Sequence, residues 1–363
     1  MFRVWRSKGG IYTNLIINTG WIPSPDKKPD EKPDWSLQAL ALNAVEAPDK
    51  ASLETFVERI DNQLSKPWCV AFGVCNAVEF AMKMRGIKVP DGGLSKAYLY
   101  ARCKQLDGIP NNDGTYIRTA LDIATKEGIC PDYLCPTAKY LNESALPTLT
   151  AAIKTEAAKY KIKAYARLQD AQGYADLGQI KQALANKQFV VIGSWVEQAN
   201  WLDGDDLITV PKGTLLGGHC TYVFGYDNAF ARVGLTGFCD DANSWGESWG
   251  DRGKCHMAYD YVKFRYLDGM PTLSEAWTFT VDGNAPTMKT YDMPVPMRII
   301  QTPAGGNTML PFRAIYEALG GEVRYYVNSA GKLVVVAEVE LKDKAVIVEA
   351  IQDDATLRTY ERV

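Results

Sequence analysis

At 363 residues, 47% of them apolar and 23% charged, the chain is long enough for two domains, or one large domain with an appendage, and can bury a full core. A net charge of −3 without a basic cluster gives no ground for a nucleic-acid partner or a membrane surface. No apolar run approaches the roughly 18 residues of a membrane helix, so no membrane span is expected.

The first twenty residues, MFRVWRSKGGIYTNLIINTG, lack a continuous apolar stretch and do not read as a signal peptide. That leaves a cytosolic product, a trimmed signal or export by another route. WIPSPDKKPDEKPDW follows, with prolines alternating with charges, and reads as an extended, solvated linker between Trp21 and Trp35. Residues 1–34 are thus an arm and linker, and a short amphipathic segment over Ser52–Ile60 leads out of them.

Asp61–Gly86, DNQLSKPWCVAFGVCNAVEFAMKMRG, contains a helix with almost no polar face, preceded by Pro67 and stopped at Gly86. Cys69 falls in its first turn, where unpaired N–H groups and the helix dipole favour a thiolate; Cys75, almost two turns inside, is expected to be inert. Taken alone, a cysteine in an apolar run is a small core residue. Further helices are expected over Ala97–Leu106, over Ile117–Glu127 and from Ile180. Short strands follow at Tyr165–Leu168, Phe189–Trp195, Cys220–Tyr226, Gly234–Asp240, Lys254–Ala258 and Ala276–Val281. A helical half followed by an antiparallel sheet half is an α+β arrangement with a cleft where the halves meet.

Eight cysteines permit disulfides without demanding them, and Cys130 and Cys135 form a local pair that could bridge or stay reduced. With only His219 and His256 as imidazoles and no CxxC spacing, neither a metal nor another cofactor is expected.

His219 stands at a strand start in GGHCTYVFGYD, and Asn243 lies among tryptophans and glycines in NSWGESWGDRG. Gln63, six residues before Cys69, could offer an amide N–H to a developing oxyanion. The order Gln63, Cys69, His219, Asn243 and its spacing resemble the papain-like cysteine peptidases, in their bacterial branch, over Trp35–Val281. The resemblance implies a two-lobed peptidase domain over residues 35–285, a helical lobe and a β lobe, acting on protein or peptide substrates. It assigns Cys69 as nucleophile, His219 as general base and then acid, Asn243 as the group orienting the imidazole, and Gln63 with the Cys69 backbone N–H as the oxyanion hole. Trp245 would cover the Asn243–His219 contact, the backbone at Gly114 would pair with extended substrate, and Trp68 and Gly218 would flank its path. Lys66, Pro67, Trp68 and Val70 depart from the family pattern, and the doubled glycine of the substrate loop is reduced to Gly114. The same site would serve a transpeptidase or a cell-wall peptide amidase, and a non-enzymatic alternative is an inactive peptide-binding or adhesion protein. The arm could lie in the cleft.

After a linker-like stretch beyond Val281, residues 286–363 read as a small α+β module with a short helix at Pro311–Leu319. NTMLPFRAIYEALGGEVRYY resembles the copper amine oxidase N-terminal-like domain of bacterial surface proteins, over Met297–Val348. This implies a surface or secreted location and an attachment or assembly partner. It does not imply copper, because the segment has no histidine or cysteine.

Overall fold

The computed structural model describes residues 19–25, 47–170, 173–202, 206–267 and 269–281, together with strands between 300 and 362. The first part begins with β1 (Lys50–Ser52) and continues through a mainly helical stretch: α1 (Cys69–Met84), α2 (Lys96–Leu106), α3 (Ile117–Lys126), α4 (Thr137–Leu141) and α5 (Ala151–Ala157). Then come β2 (Ala164–Arg167), α6 (Leu177–Ala185), β3 (Val190–Glu197), α7 (Gln198–Trp201), β4 (Leu207–Ile208), β5 (Leu215–Arg232), β6 (Leu235–Ala242), β7 (Lys254–Ala258), α8 (Tyr259–Lys263) and β8 (Leu273–Thr280). These strands form one sheet in the order β2-β8-β3-β5-β6-β7-β4, with β1 on β5. It is antiparallel except for the β4–β7 pair, which is parallel. That pair departs from the purely antiparallel half expected from sequence, because the short β4 enters the edge directly after α7.

α1 is apolar all round because it is enclosed: every residue from Cys69 to Met82 is buried, and β5 and β3 pack against it. Its one buried acid, Glu79, is held by Arg59 through Nη1–Oε1 (2.5 Å) and Nη2–Oε2 (2.9 Å) and by the Leu94 N–H (3.1 Å). Arg59 also bonds Asp61, which pairs with Lys96 at 2.9 Å. Burial pushes both carboxyls up, but the basic neighbours outweigh it and the net shift is downward. This network fixes the segment that leads into Gln63 against the helix that begins with Cys69.

The reading of a solvated linker from Trp21 onward is corrected at its start. Trp21 and Ser24 are buried against the sheet lobe, at 3% and 7% exposure. A tryptophan ring can leave the solvent wherever the fold offers a slot, and here the slot comes from glycines far along the chain. Residues 26–46 lie outside the described residues.

All eight cysteines are free thiols. Cys130 Sγ donates to Pro131 O at 3.5 Å, and the neighbouring Cys135 thiol drives the Cys130 thiol up while Cys135 is pulled down. In the C-terminal part, β9 (Ile300–Gln301) pairs with β10 (Asn307–Thr308). β11 (Glu322–Val327), β12 (Leu333–Leu341), β13 (Lys344–Ile351) and β14 (Leu357–Arg362) make a four-stranded antiparallel meander. The helix expected at Pro311–Leu319 lies outside the described residues.

Candidate active site

Cys69 is the first residue of α1, immediately after Pro67 and Trp68, where the helix has no side-chain cap and its leading N–H groups are unspent. Its thiol is fully buried and faces the backbone amides of Cys220, Gly20, Val70 and Cys69 itself. The Cys220 amide places the sulfur beside β5, next to His219.

The imidazole is held on one side only. His219 Nε2 meets Asn243 Oδ1 at 2.8 Å, and the same oxygen accepts the Ser244 N–H at 2.7 Å. A backbone N–H can only donate, so it fixes the amide with its oxygen toward the ring, and Nε2 must then carry the proton of the neutral imidazole. Nδ1 is left as a bare acceptor, buried and without a hydrogen-bond partner among the described residues. Trp245 stacks on the ring at 4.6 Å and Trp201 meets it edge-on at 5.9 Å. Gln63 is stitched to the same loop: its N–H donates to Ser244 O (2.8 Å), its Oε1 accepts from Ser244 Oγ (2.6 Å), and its Nε2 donates to Lys66 O (2.8 Å). Thus the four residues assigned by spacing come from α1, β5 and the two loops beside them, and they converge on one end of the helix.

Their charge state differs from the thiolate expected at the helix start. Burial pushes the Cys69 thiol up to about 12, more than the four amides recover. Burial also pulls His219 down to about 4, more than the Asn243 bond restores. Desolvation outweighs the helix terminus here, and both groups are neutral at pH 7.

Trp245 and Trp201 enclose the imidazole, and the arm adds to the cover. Gly20 and Trp21 both donate N–H to Gly218 O (3.1 Å each), Thr115 N–H donates to Gly20 O (2.9 Å), and Ile22 N–H donates to Thr115 O (3.1 Å). Residues 20–22 therefore bridge the two lobes, running parallel to the loop at Thr115. The Trp21 ring lies over Gly193 and Gly218, where any Cβ would overlap it, and meets Trp195 edge-on at 5.3 Å. Ser24 gives its N–H and its hydroxyl to Glu275, the hydroxyl at 2.9 Å, and Arg118 Nη1 reaches Pro25 O at 2.5 Å.

Two expectations about the cleft change. Gly114 does not present its own backbone: its N–H goes to Tyr100 Oη (3.1 Å) and its carbonyl to Lys104 Nζ (2.9 Å). Its left-handed φ of 83° and missing Cβ let Gly20 approach, and the backbone edge that pairs with the arm belongs to Thr115. Trp68 is buried at 2% and stacks on Tyr100 at 5.1 Å, with Lys66 Nζ 5.7 Å from its ring centroid, so it is a wall inside the helical lobe. Gly218 and Trp245 do lie beside the chain path and the imidazole. Sequence reasoning missed Thr115, Trp201 and Glu275. The signal for Thr115 was adjacency to Gly114, whereas Glu275 sits in an ordinary strand pattern and gave none.

Among the described residues no group of three His, Cys, Asp or Glu side chains could hold a metal ion, and no helix is long and apolar enough to cross a membrane.

The sequence matches the family model described as papain family cysteine protease over residues 45–266. Among solved structures, the chain is similar to xylellain, a cysteine protease from Xylella fastidiosa, at 22% identity and a TM-score of 0.57, covering 76% of this chain and 100% of that one. It is also similar to procathepsin B from Trypanosoma congolense (18% identity, TM-score 0.52, 74% and 87% covered). A third similar structure is the ragweed pollen cysteine protease Amb a 11 in its proform (21%, 0.51, 67% and 68%). A comparison with curated proteins returns no match.

Proposed function

The chain belongs to the papain family of cysteine proteases, and from that premise we propose that it hydrolyses peptide bonds through a Cys69 thioester, in a cleft its own arm keeps closed. The observation that carries the reading is the one-sided imidazole: Nε2 bound to Asn243 Oδ1, Nδ1 bare, beside the thiol that the Cys220 amide touches.

Once the arm leaves, water and substrate dipoles reach the site, and the helix terminus can hold Cys69 as thiolate with its proton on His219 Nδ1. Sγ attacks the scissile carbonyl carbon, forming the S–C bond and placing charge on the carbonyl oxygen. The Gln63 side-chain amide and the Cys69 backbone N–H stabilise that oxyanion. The C–N bond breaks as His219 gives its proton to the departing amine. Water then attacks the thioester, His219 takes a proton from it, and the thiolate leaves. Asn243 holds the imidazole in the tautomer this sequence needs, and Trp245 keeps water off their bond.

The arm inhibits because residues 20–22 are hydrogen-bonded to both lobes, at Gly218 and Thr115, across the path a substrate would take. Residues 286–363 act as a separate attachment or assembly unit, in keeping with their resemblance to bacterial surface modules. Cys69→Ala and His219→Ala should each abolish turnover of a quenched fluorescent peptide, and iodoacetamide should label Cys69 ahead of the other seven cysteines in an arm-weakened chain. Labelling of Cys69 no faster than Cys75 would overturn the assignment. An added amine nucleophile in the same assay separates transfer to water from transfer to amine.

A further inference from the structure

We propose that Lys104 is a positioning residue for the substrate backbone: its ammonium bonds the carbonyl of the Gly114–Thr115 peptide and so strengthens the Thr115 N–H that captures a substrate carbonyl. The inference rests on the reading of the cleft that residues 20–22 now bridge as the path of the substrate.

One donor serves that side of the cleft. Four backbone bonds hold residues 20–22, and in three of them the arm is the donor, twice to Gly218 O and once to Thr115 O. Only the fourth runs the other way, from the Thr115 N–H to Gly20 O at 2.9 Å. A peptide laid in the same place meets this one backbone N–H with its carbonyl. The aim and strength of the donor therefore set how firmly an extended chain is held.

α2 supplies both. Tyr100 and Lys104, one turn apart on that helix, take the two polar groups of Gly114. Tyr100 Oη accepts its N–H at 3.1 Å, and Lys104 Nζ donates to its carbonyl at 2.9 Å. The other two hydrogens of the ammonium go to Asp107 Oδ2 and Ile109 O, each at 2.8 Å, so three donors meet three acceptors and the head is fixed in direction. Asp107 also accepts the Ile109 N–H at 3.0 Å and the Thr115 hydroxyl at 2.9 Å, which anchors the Thr115 side chain and leaves its backbone to the cleft. The Lys104 and Asp107 side chains are 7% and 0% exposed, so water screens the ammonium little.

The Gly114 carbonyl and the Thr115 N–H are the two ends of one conjugated amide. A cationic donor on the oxygen draws electron density away from the nitrogen and makes its hydrogen a better donor. Hydrogen bonds in such a run reinforce one another, and a charged member is roughly twice as strong as a neutral one. Here the run goes from Lys104 Nζ to Gly114 O, through the peptide, and from the Thr115 N–H to Gly20 O. The Thr115 carbonyl, which accepts the Ile22 N–H at 3.1 Å, belongs to the next peptide and lies outside it. The pull of Lys104 thus falls on the one bond in which the cleft is the donor.

The test uses the full-length chain in three forms: the parent, Lys104→Met with Asp107→Asn, which removes the two buried charges together, and Lys104→Gln, which keeps a neutral N–H for the same carbonyl. The first readout needs no turnover: the amide proton shifts of Thr115 and Ile22 with the arm docked. The Thr115 proton should move upfield in both variants, farther in the first, while the Ile22 proton stays. Where the first variant does not fold, Lys104→Gln decides alone. The second readout adds Trp21→Ala to each form and compares a quenched peptide with its esters, made one position at a time on the N-terminal side of the scissile bond. An ester carbonyl is the weaker acceptor, and the ratio of the two kcat/KM values cancels the fraction of chains with the arm docked. The parent should show one position where the ester costs about tenfold, in KM and not in kcat, and loss of the ammonium should cut that cost to about threefold there and nowhere else. Thr115 and Ile22 protons that move together or not at all, or an ester cost equal in all three forms, would reduce Lys104 to a support of the loop and overturn the proposal. If no form turns over any peptide, the protease reading falls, and the role of Lys104 toward substrate falls with it.

Discussion

Trp21→Ala asks how much of the closed state one side chain holds. A buried aromatic removes about 150–250 Å² from water, worth roughly 4–6 kcal/mol at ~25 cal/mol per Å². Alanine keeps part of that contact, and the rotamer freedom the parent's indole gives up on docking offsets some of the rest, so a loss of about 3 kcal/mol in arm docking is a fair figure. That corresponds to roughly a hundredfold rise in the population with the cleft open. Iodoacetamide reaches Cys69 only from that population, so its labelling rate at pH 7.5 should rise about a hundredfold, and peptide turnover should rise in parallel. The four backbone bonds of residues 20–22 remain available, so docking is weakened and not abolished. The lobes do not depend on Trp21 for their own pairing, so the thermal midpoint should move little. Labelling that stays within twofold of the parent, with an unchanged melt, would show that the indole is not what shuts the site.

Four further outcomes are expected. Gly193→Ala puts a methyl where the Trp21 ring lies and should reproduce the opening seen with Trp21→Ala, read by the same labelling rate. Asn243→Ala removes the acceptor of the His219 Nε2 proton; at about 1–3 kcal/mol for an unpaired buried donor, kcat/KM should fall roughly 5- to 150-fold, measured with the arm weakened. Arg59→Met removes the bidentate partner of Glu79, leaving it Lys83 Nζ at 3.3 Å and the Leu94 N–H at 3.1 Å, and should cost about 2 kcal/mol in urea unfolding at neutral pH. Because Glu79 is held below its ordinary value, the stability it contributes is present above about pH 4.5 and lost as pH falls through its depressed pKa, so the gap between parent and variant should narrow in acid. The arm itself responds to pH. Covering holds His219 down near 4 and Cys69 up near 12, one proton in all, and the open thiolate–imidazolium pair carries the same single proton. Closure is therefore insensitive to pH near neutrality and is lost as pH rises from the point where the open imidazolium gives up its proton toward 12, because the covered thiol still holds one there. Tryptic cleavage of the arm should therefore be level near neutrality and speed up in alkali, and cleavage that slows as the solution is made alkaline would count against the covered thiol.

What could be read from sequence is what local chemistry writes there. The apolar run after Pro67 announced α1 and put Cys69 at its start, and the strand patterns of the second half located β3 and β6 to within two residues but only the middle of the longer β5. The spacing from Gln63 to Asn243 pointed to a set of residues that the fold does bring together. The arm was not readable, because proline and charge dominate its composition and the indole's seat is made by absence: two glycines on β3 and β5 that matter only once those strands are side by side. Glu275 was hidden for the same reason, since its place opposite Gly193 is decided by register. The neutral thiol was missed because a helix terminus can be seen in sequence and the desolvating cover cannot. Gly114 drew attention as the unusual residue, yet its conformation serves to deliver the edge of its neighbour.

The aromatic enclosure of His219 gives the site a spectroscopic signature. Its Nε2 proton lies between a carbonyl oxygen and the face of Trp245, with Trp201 closing the edge and Asn243 only 1% exposed. An imidazole N–H on the surface exchanges with water too fast to be seen. One sealed in this way should persist as a sharp downfield resonance in a one-dimensional proton spectrum, while the indole ring current moves the carbon-bound imidazole protons upfield. The enclosure that protects the bond should therefore make this single proton a resident reporter of tautomer, protonation and arm position in the intact chain.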